Sequence, residues 1–437
     1  MTLFGTQEIN DHGHLVIGGC DTVQLAQQFG TPLYVIDEWL VRDNCRRYLK
    51  AFRAVMPEVE IAYAGKALLT TAMARLMDQE GLALDTASAG ELYTALQAGF
   101  PPERIKLHGN LKKDELLRMA LECGVGRIVA DSLDELRHLS RIAGEMGKTA
   151  DILIRVAPGI KAHTHHAIQT GQDDTKFGLG LRCGSAREGA QLALSLPHLT
   201  LHGFHIHIGS QILDTDAFRH ATVVMVDFLA DVREAFGFTA EQLDLGGGLG
   251  IRYQEDDIPP SIEEFAQVTG TALRESCAAR DFPLPELILE PGRSIVGEAG
   301  TTLYTIGVVK SIPGLRTYVS VDGGLSDNPR PVMYDAVYRA LLANKADQDP
   351  VHELVRVAGA HCETDTLISE IALPEVASGD ILAVLATGAY NHAMASNYNR
   401  FPRPAMVLVA EGQADLICAR EELADLVRQD LMPARLQ

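Results

Sequence analysis

"EIAYAGKALLTTAMARLMDQEGLALDTAS", residues 60–88, contains one repeat of the pattern that decides the fold. Its opening "EIAYAGK" is an apolar, strand-like run closing on Lys66. "TTAMARLMDQEG" then reads as a helix and ends in Gly81, a residue suited to a helix C-cap. "LALDTAS" starts a second strand-like run. A strand, a helix and a strand in so short a span read as a parallel βα unit.

The same alternation extends from about residue 33 to 295. Further strand runs are "IKLHGN", "RIVAD", "DILIRV", "GFHIHIGS", "LDLGGG" and "LILEPG". "SLDELRHLSRIAGEMG" opens with Ser132 and has Glu135 three residues on, a capping-box pattern. "DAFRHATVVMVDFLADVREAFG" and "SIEEFAQVTGTALRESCAARD" carry apolar residues at helical spacing. Eight such units fit a (β/α)8 barrel better than an open doubly wound sheet. Beyond about residue 298 the texture changes to β-branched runs separated by Pro, Gly and Asp, such as "TTLYTIGVVKSI" and "DILAVLATGAY". These predict an antiparallel β domain, with "HGHLVIGG" (12–19) as a further strand joining it. The expected division is a barrel over 36–297 and a β-sandwich or barrel domain from 1–35 and 298–437.

Composition narrows the class of protein. The chain has 437 residues, 46% hydrophobic and 22% charged, with a formal net charge of −20. That length favours two domains. The acidic balance argues against nucleic acid or an anionic membrane as partner. Seven cysteines without a C-x-x-C pair suit free thiols in a reducing compartment. No basic-then-apolar leader is evident and no apolar run approaches a membrane span, so a cytoplasmic protein is expected.

In a (β/α)8 barrel, polar residues at the C-terminal strand ends lean towards function. Lys66 ends the first run, Asp85 and Ser88 the second, His108 and Asn110 the third. His207 and Ser210 end the sixth, Gly246 to Gly248 the seventh, and Glu290 to Arg293 the eighth. A barrel gathers such scattered groups around one mouth. Each also has a plainer reading. Lys66 could be a solvated strand end, the glycines a tight turn, Glu290 an ion-pair partner of Arg293, and Cys362 in "GAHCETD" an inert thiol. A dinucleotide loop is excluded, because Ile251 stands where the last glycine of G-x-G-x-x-G belongs. Bare glycine amides near Ser210 suit a phosphate instead. His205 and His207 share a strand face and "HTHH" (163–166) is dense, but neither has a partner cluster at metal spacing, so no metal is expected.

Read in order, the motifs add a resemblance. They are "YAGKA" (63–67), "RVAPGIKAHTHHAIQTGQDDTKFGL" (155–179), "HIHIGSQI" (205–212), "LDLGGGLGI" (243–251) and "EPGRSIVGEAGTTLY" (290–304). They continue as "VDGGLSDNPRPVMY" (321–334), "CETD" (362–365) and "GAYNHAMASNYN" (388–399). Along nearly its whole length the chain resembles the fold-type III pyridoxal-phosphate decarboxylases, in their diaminopimelate branch rather than the ornithine or arginine branches. The resemblance implies an alanine-racemase-like two-domain layout and pyridoxal 5′-phosphate as cofactor. It implies decarboxylation of meso-2,6-diaminopimelate to L-lysine and CO2, the last step of lysine biosynthesis. A decarboxylase of another basic amino acid or a carboxylated polyamine is the alternative, and a non-catalytic cofactor-binding protein a more distant one.

The resemblance also implies roles. Lys66 would bond the cofactor aldehyde, a task that needs an amine. Ser210, Gly247, Gly248 and the Gly292–Arg293 backbone would hold the phosphate. Glu290 would face the pyridine nitrogen, His207 would stack on the ring, and Tyr390 would touch cofactor and substrate. Arg293, Arg330 and Tyr334 would meet the substrate's distal carboxylate, and Glu363 its ammonium. Cys362 would return a proton to the α-carbon. In this family the cysteine loop comes from the other subunit, which implies a homodimer with shared sites. Residues 165–180 are expected to form a lid. The chain departs from the family pattern at Leu68, Ala157, Ala360 and His392.

Overall fold

The computed structural model describes residues 2–160, 174–351 and 353–437. "HTHH" and residues 165–173 of the expected lid lie outside these. The chain divides into two compact units, one of Arg42–Ile251 with Ile258–Ile295, the other of Met1–Val41, Arg252–Asp257 and Val296–Gln437.

The first unit is built on eight strands: Val59–Ala64, Ala83–Thr86, Ile105–Leu107, Arg127–Ala130, Ala150–Ala157, Leu199–His205, Gln242–Asp244 and Glu286–Leu289. Every neighbouring pair is parallel, and Leu287 beside Val59 and Ile128 beside Ile152 close the sheet into a barrel. Each strand overlaps one of the eight apolar runs, most starting at or within a residue of it, while Leu199–His205 begins four residues ahead of "GFHIHIGS". Parallel strands buried on both faces read as continuous apolar stretches, which is why they were legible. Val129, Leu153 and Ile288 pack together in a small buried cluster. Thr71–Gln79 is a helix whose N-cap Thr70 accepts from the Met73 amide, and Gly81 follows its end at a φ of 79°.

The capping box expected at Ser132 is half made. Ser132 Oγ accepts from the Glu135 amide at 3.2 Å. The Glu135 carboxylate turns instead to the Asp131 amide at 3.0 Å and the Lys112 ammonium at 2.6 Å. Lys112 is fully buried, and a buried ammonium needs an anion more than the helix needs its second cap. The reciprocal box forms at Ser261–Glu264.

The second unit centres on a large sheet around the long strand Gly300–Ile312. It pairs antiparallel with Arg316–Val321, Ile381–Leu385 and Leu33–Asp37. Two further pairings are parallel, Arg316–Val321 with Leu354–Ala358 and Leu33–Asp37 with Ala405–Ala410. The sheet is therefore mixed, not wholly antiparallel as the sequence suggested. Strand direction is set by the connection, and the long stretch from 322 to 353 permits a crossover that a hairpin would not. "HGHLVIGG" supplies Leu15–Ile17 to a separate three-stranded sheet with Glu8–Ile9 and Cys20–Asp21. The N-terminal strand that enters the large sheet is Leu33–Asp37, buried throughout. Leu15, Ile17, Leu33, Val35, Leu303 and Val407 share one core.

Candidate active site

Lys66 sits on the 3-10 turn Gly65–Ala67 that follows the first barrel strand. The Tyr63 hydroxyl donates to the Leu68 carbonyl at 2.7 Å and so ties the end of the strand to the residue after the turn. Leu68 is buried, so the position where the family carries asparagine is here a core side chain. A Cβ on Gly65 would lie 2.8 Å from the Asp85 carbonyl, and one on Gly292 would lie 3.0 Å from the Cβ atoms of Ala64 and Ala67. That close backbone packing draws the ends of the first, second and eighth strands together. Lys66 is exposed on its turn, and its charge acts on Asp85, His205 and His207.

Glu290, just past the eighth strand, is buried. His205 Nε2 meets its Oε2 at 3.1 Å, and His108 Nε2 lies 2.7 Å from Oε1. The His108 contact is not aligned as a hydrogen bond, which leaves Oε1 without an acceptor's partner. The two imidazoles pack edge to face at 4.9 Å. Burial alone would push the Glu290 carboxyl up, but the nearby His108 and His205 imidazoles outweigh it and hold the group well below the usual carboxylate range. The two acids near it go the other way. Burial lifts Asp85 to about 6 and Asp244 well above its ordinary value. Of the three acids Glu290 is the one held most firmly ionised, although Asp85, raised only to about 6, also carries charge at neutral pH. The plainer reading, an ion pair of Glu290 with Arg293, gives way to these two histidines. His108, His205 and Glu290 also form the one group with metal-compatible spacing among the described residues, each offering an atom within 4.8 Å of the others. Sequence spacing missed it because its members come from the ends of three different strands.

The glycine run after the seventh strand is a site of close backbone approach. Gly246 and Gly248 have φ of 67° and 123°, conformations that side chains disfavour. A Cβ on Gly247 would fall 2.1 Å from the Glu290 carbonyl. Asp244 Oδ1 accepts from the Gly246 amide at 2.8 Å, and the Glu290 amide donates to the Gly246 carbonyl at 2.8 Å. The Gly247 amide donates to His207 Nδ1 at 3.3 Å. Burial, then the charges of Lys66 and Arg155, hold His207 well below the ordinary histidine value, so its ring is neutral. Arg293 donates to Ser210 Oγ through Nε at 3.2 Å and Nη2 at 2.9 Å. The barrel therefore brings Lys66, His207, Ser210, Gly247, Gly248, Glu290, Gly292 and Arg293 to its C-terminal end. Ser88 is not among them, since its hydroxyl caps the helix Ala89–Gln97.

The other named residues lie in the second unit. Arg330 opens the short helix Arg330–Tyr334, with Tyr334 one turn further on. Cys362 is exposed, and the Asn399 side chain accepts from its amide at 3.4 Å. Glu363 accepts from the Tyr398 hydroxyl. Just before the cysteine, buried His361 meets Asp365 Oδ2 through Nδ1 at 2.5 Å, and Asp365 Oδ1 accepts from the Leu325 amide at 2.9 Å. One carboxylate so ties the cysteine loop to the loop leading to Arg330. Pro331, Val332, Glu363 and Thr364 line a common cavity of about 640 Å³. Tyr390 has a positive φ of 62° in the turn after Ile381–Leu385.

The family described as pyridoxal-dependent decarboxylase, pyridoxal binding domain, matches residues 42–297. A diaminopimelate decarboxylase of Bacillus subtilis is 48% identical over 433 residues, covering 99% of this chain and 98% of that one. The chain belongs to the pyridoxal-dependent decarboxylases, in their diaminopimelate branch. A second such decarboxylase, of Halalkalibacterium halodurans, is 47% identical with 99% and 98% coverage. The crystal structure of diaminopimelate decarboxylase from M. jannaschii in co-complex with L-lysine superposes with a TM-score of 0.92 at 36% identity, covering 99% of each chain. The cofactor of this decarboxylase is pyridoxal 5′-phosphate, and the barrel fits it. Glu290 Oε1 is an ionised, buried acceptor lacking an aligned donor, as a protonated ring nitrogen requires. The Gly248 amide, Ser210 and Arg293 lie at the same end of the barrel as groups suited to a phosphate, and Lys66 offers an amine.

Proposed function

We propose that this decarboxylase removes one carboxylate of meso-2,6-diaminopimelate as CO2 and releases L-lysine, the last step of lysine biosynthesis. The observation that carries the reaction class is Glu290, a buried carboxylate kept ionised by two histidines at the mouth of a barrel that also presents Lys66. When bound, the cofactor supplies an electron sink for the pair left on carbon as CO2 departs. Glu290 would keep the ring nitrogen protonated, and neutral His207 would lie against the ring without adding a competing positive charge. Ser210, Gly247, Gly248, Gly292 and Arg293 anchor the phosphate. Lys66 would hold the cofactor through its aldehyde.

Arg293, Arg330 and Tyr334 bind the distal carboxylate, Glu363 the distal ammonium, and Tyr390 contacts cofactor and substrate. Cys362 delivers a proton to the α-carbon. What supports these roles is the motif match, together with the names of the relatives and the L-lysine in the M. jannaschii co-complex. Residues 36–297 form the cofactor domain, and 1–35 with 298–437 supply the substrate and proton-donor loops. Two copies of the chain assemble as a homodimer with shared sites, a reading carried by the family resemblance and checked by light scattering. Seven free thiols fit a reducing cytoplasm, and no described helix is long and apolar enough to cross a membrane.

The test is release of CO2 from each stereoisomer of diaminopimelate by the cofactor-loaded protein, with Lys66→Ala in parallel. We expect turnover of the meso isomer. Lys66→Ala loses both turnover and the visible absorbance of covalently held cofactor. A parent protein that binds no cofactor, or releases no CO2 from any isomer, overturns the proposal.

A further inference from the structure

Arg330 is held in a way that nothing in its motif announces. Its side chain is buried at 6% exposure, with the guanidinium carbon 4.9 Å from the ring centre of Tyr253 and 5.6 Å from that of Tyr338. The two rings meet edge to face at 5.6 Å and 89°. Nη1 donates to both hydroxyls, to Tyr253 at 3.1 Å and to Tyr338 more closely still. No described residue partners Nε or Nη2, and neither is a sealed, unsatisfied atom.

The chemistry of the two partners matters. An arginine guanidinium presents two edges with paired N–H groups, Nε–Nη2 and Nη1–Nη2, and a carboxylate needs one of them. Two hydroxyls on Nη1 use up that corner and leave Nε–Nη2 as the edge without a partner among the described residues. Both partners are hydroxyls rather than carboxylates, so they orient the cation without pairing it to an acid. Arg339, nine residues later, shows the contrast, because its Nη1 is spent on Glu255 at 2.6 Å. No carboxylate among the described residues forms an ion pair with Arg330. The aromatic faces add attraction for the cation and keep water from its sides.

We propose that Tyr253 and Tyr338 are positioning residues that hold the Nε–Nη2 edge of Arg330 ready for a distal carboxylate, and so set the preference of this enzyme for substrates that carry one. The inference rests on the substrate reading given above. An unoriented arginine would still attract anions, but it would lose the fixed two-point contact that separates an amino dicarboxylate from a plain diamine.

L-Lysine and cadaverine make a matched pair of probes. L-Lysine keeps the carboxylate remote from the reacting carbon, and cadaverine is the same molecule without it. Both are measured as competitive inhibitors of meso-diaminopimelate turnover by the cofactor-loaded enzyme. In Tyr253→Phe, Tyr338→Phe and the double variant the rings and the fold stay, as a denaturation midpoint verifies. We expect the inhibition constant for L-lysine to rise about tenfold in the double variant, the size of one hydrogen bond to a charged group, while that for cadaverine stays within about twofold. In an Arg330→Lys background the tyrosine changes should lose this selective effect, because there is no fork left to orient. A lysine-to-cadaverine ratio that does not move, or a persisting selective effect in Arg330→Lys, overturns the inference alone. A parent without activity on meso-diaminopimelate overturns the substrate reading and this inference with it.

Discussion

A carboxylate as buried as Glu290 would ordinarily pick up a proton. It stays ionised because His205 and His108 reach it from other strands. Replacing His205 with glutamine keeps a donor but removes the imidazole. The carboxyl then titrates at higher pH. Since the ionised form is the working one, the acid limb of the pH profile of kcat/KM should move upward, as a pH–rate series would show. An unmoved limb would mean that another group sets it. The sequence displayed Lys66 and Glu290 as polar residues closing apolar runs, and that was enough to suspect them. It hid their supporting cast. His205 and Glu290 are 85 residues apart, and Arg330 and Tyr253 are 77 apart. Only closure of the fold makes them neighbours, and no local periodicity records it.

At the scale of elements, the junction of the seventh and eighth barrel strands depends on an absent side chain. Gly247→Ala places a methyl 2.1 Å from the Glu290 carbonyl, a backbone atom that cannot swing aside. The loop must shift away from the eighth strand, at a cost of about 1–3 kcal/mol in stability. Cofactor affinity should fall with it, and paired denaturation and cofactor titration would show both losses. Elements buried on both faces were the most legible, since every barrel strand announces itself as a continuous apolar run. Direction was not legible in the second unit. Arg316–Val321 looks the same whether its neighbour runs with it or against it, so the two parallel pairings came as a correction. The cap at Ser132 failed for a related reason. Glu135 had a better partner in Lys112, 23 residues earlier.

For the molecule as a whole, two groups of the second unit, half-buried His392 and buried Asp327, oppose each other across acid pH. Burial lowers His392 to about 4, and burial raises Asp327 to about 7. Between about pH 4 and 6.5 the unfolded chain protonates His392 while the folded one does not, so this group makes stability rise with pH. Between about pH 3.8 and 7 the folded chain protonates Asp327 while the unfolded one does not, so that group makes stability fall with pH. Each slope is about 1.4 kcal/mol per pH unit, and over the shared range they largely cancel. Relative to the parent, Asp327→Asn should gain a rising slope and His392→Phe a falling one. Denaturant unfolding at stepped pH would reveal both, and parallel curves for all three proteins would count against the balance.

The strand Leu33–Asp37 has a consequence for how the protein is made. It lies inside the large sheet, flanked by Gly300–Ile312 on one side and Ala405–Ala410 on the other. On the ribosome it emerges long before either flank exists. The whole of the barrel is synthesised in the interval, so the barrel can close while this apolar segment still waits. Its second edge remains unpaired until Ala405–Ala410 has left the exit tunnel. A nascent chain arrested before Ala405 would carry an open, largely apolar strand edge, the form most apt to pair with another unfinished copy.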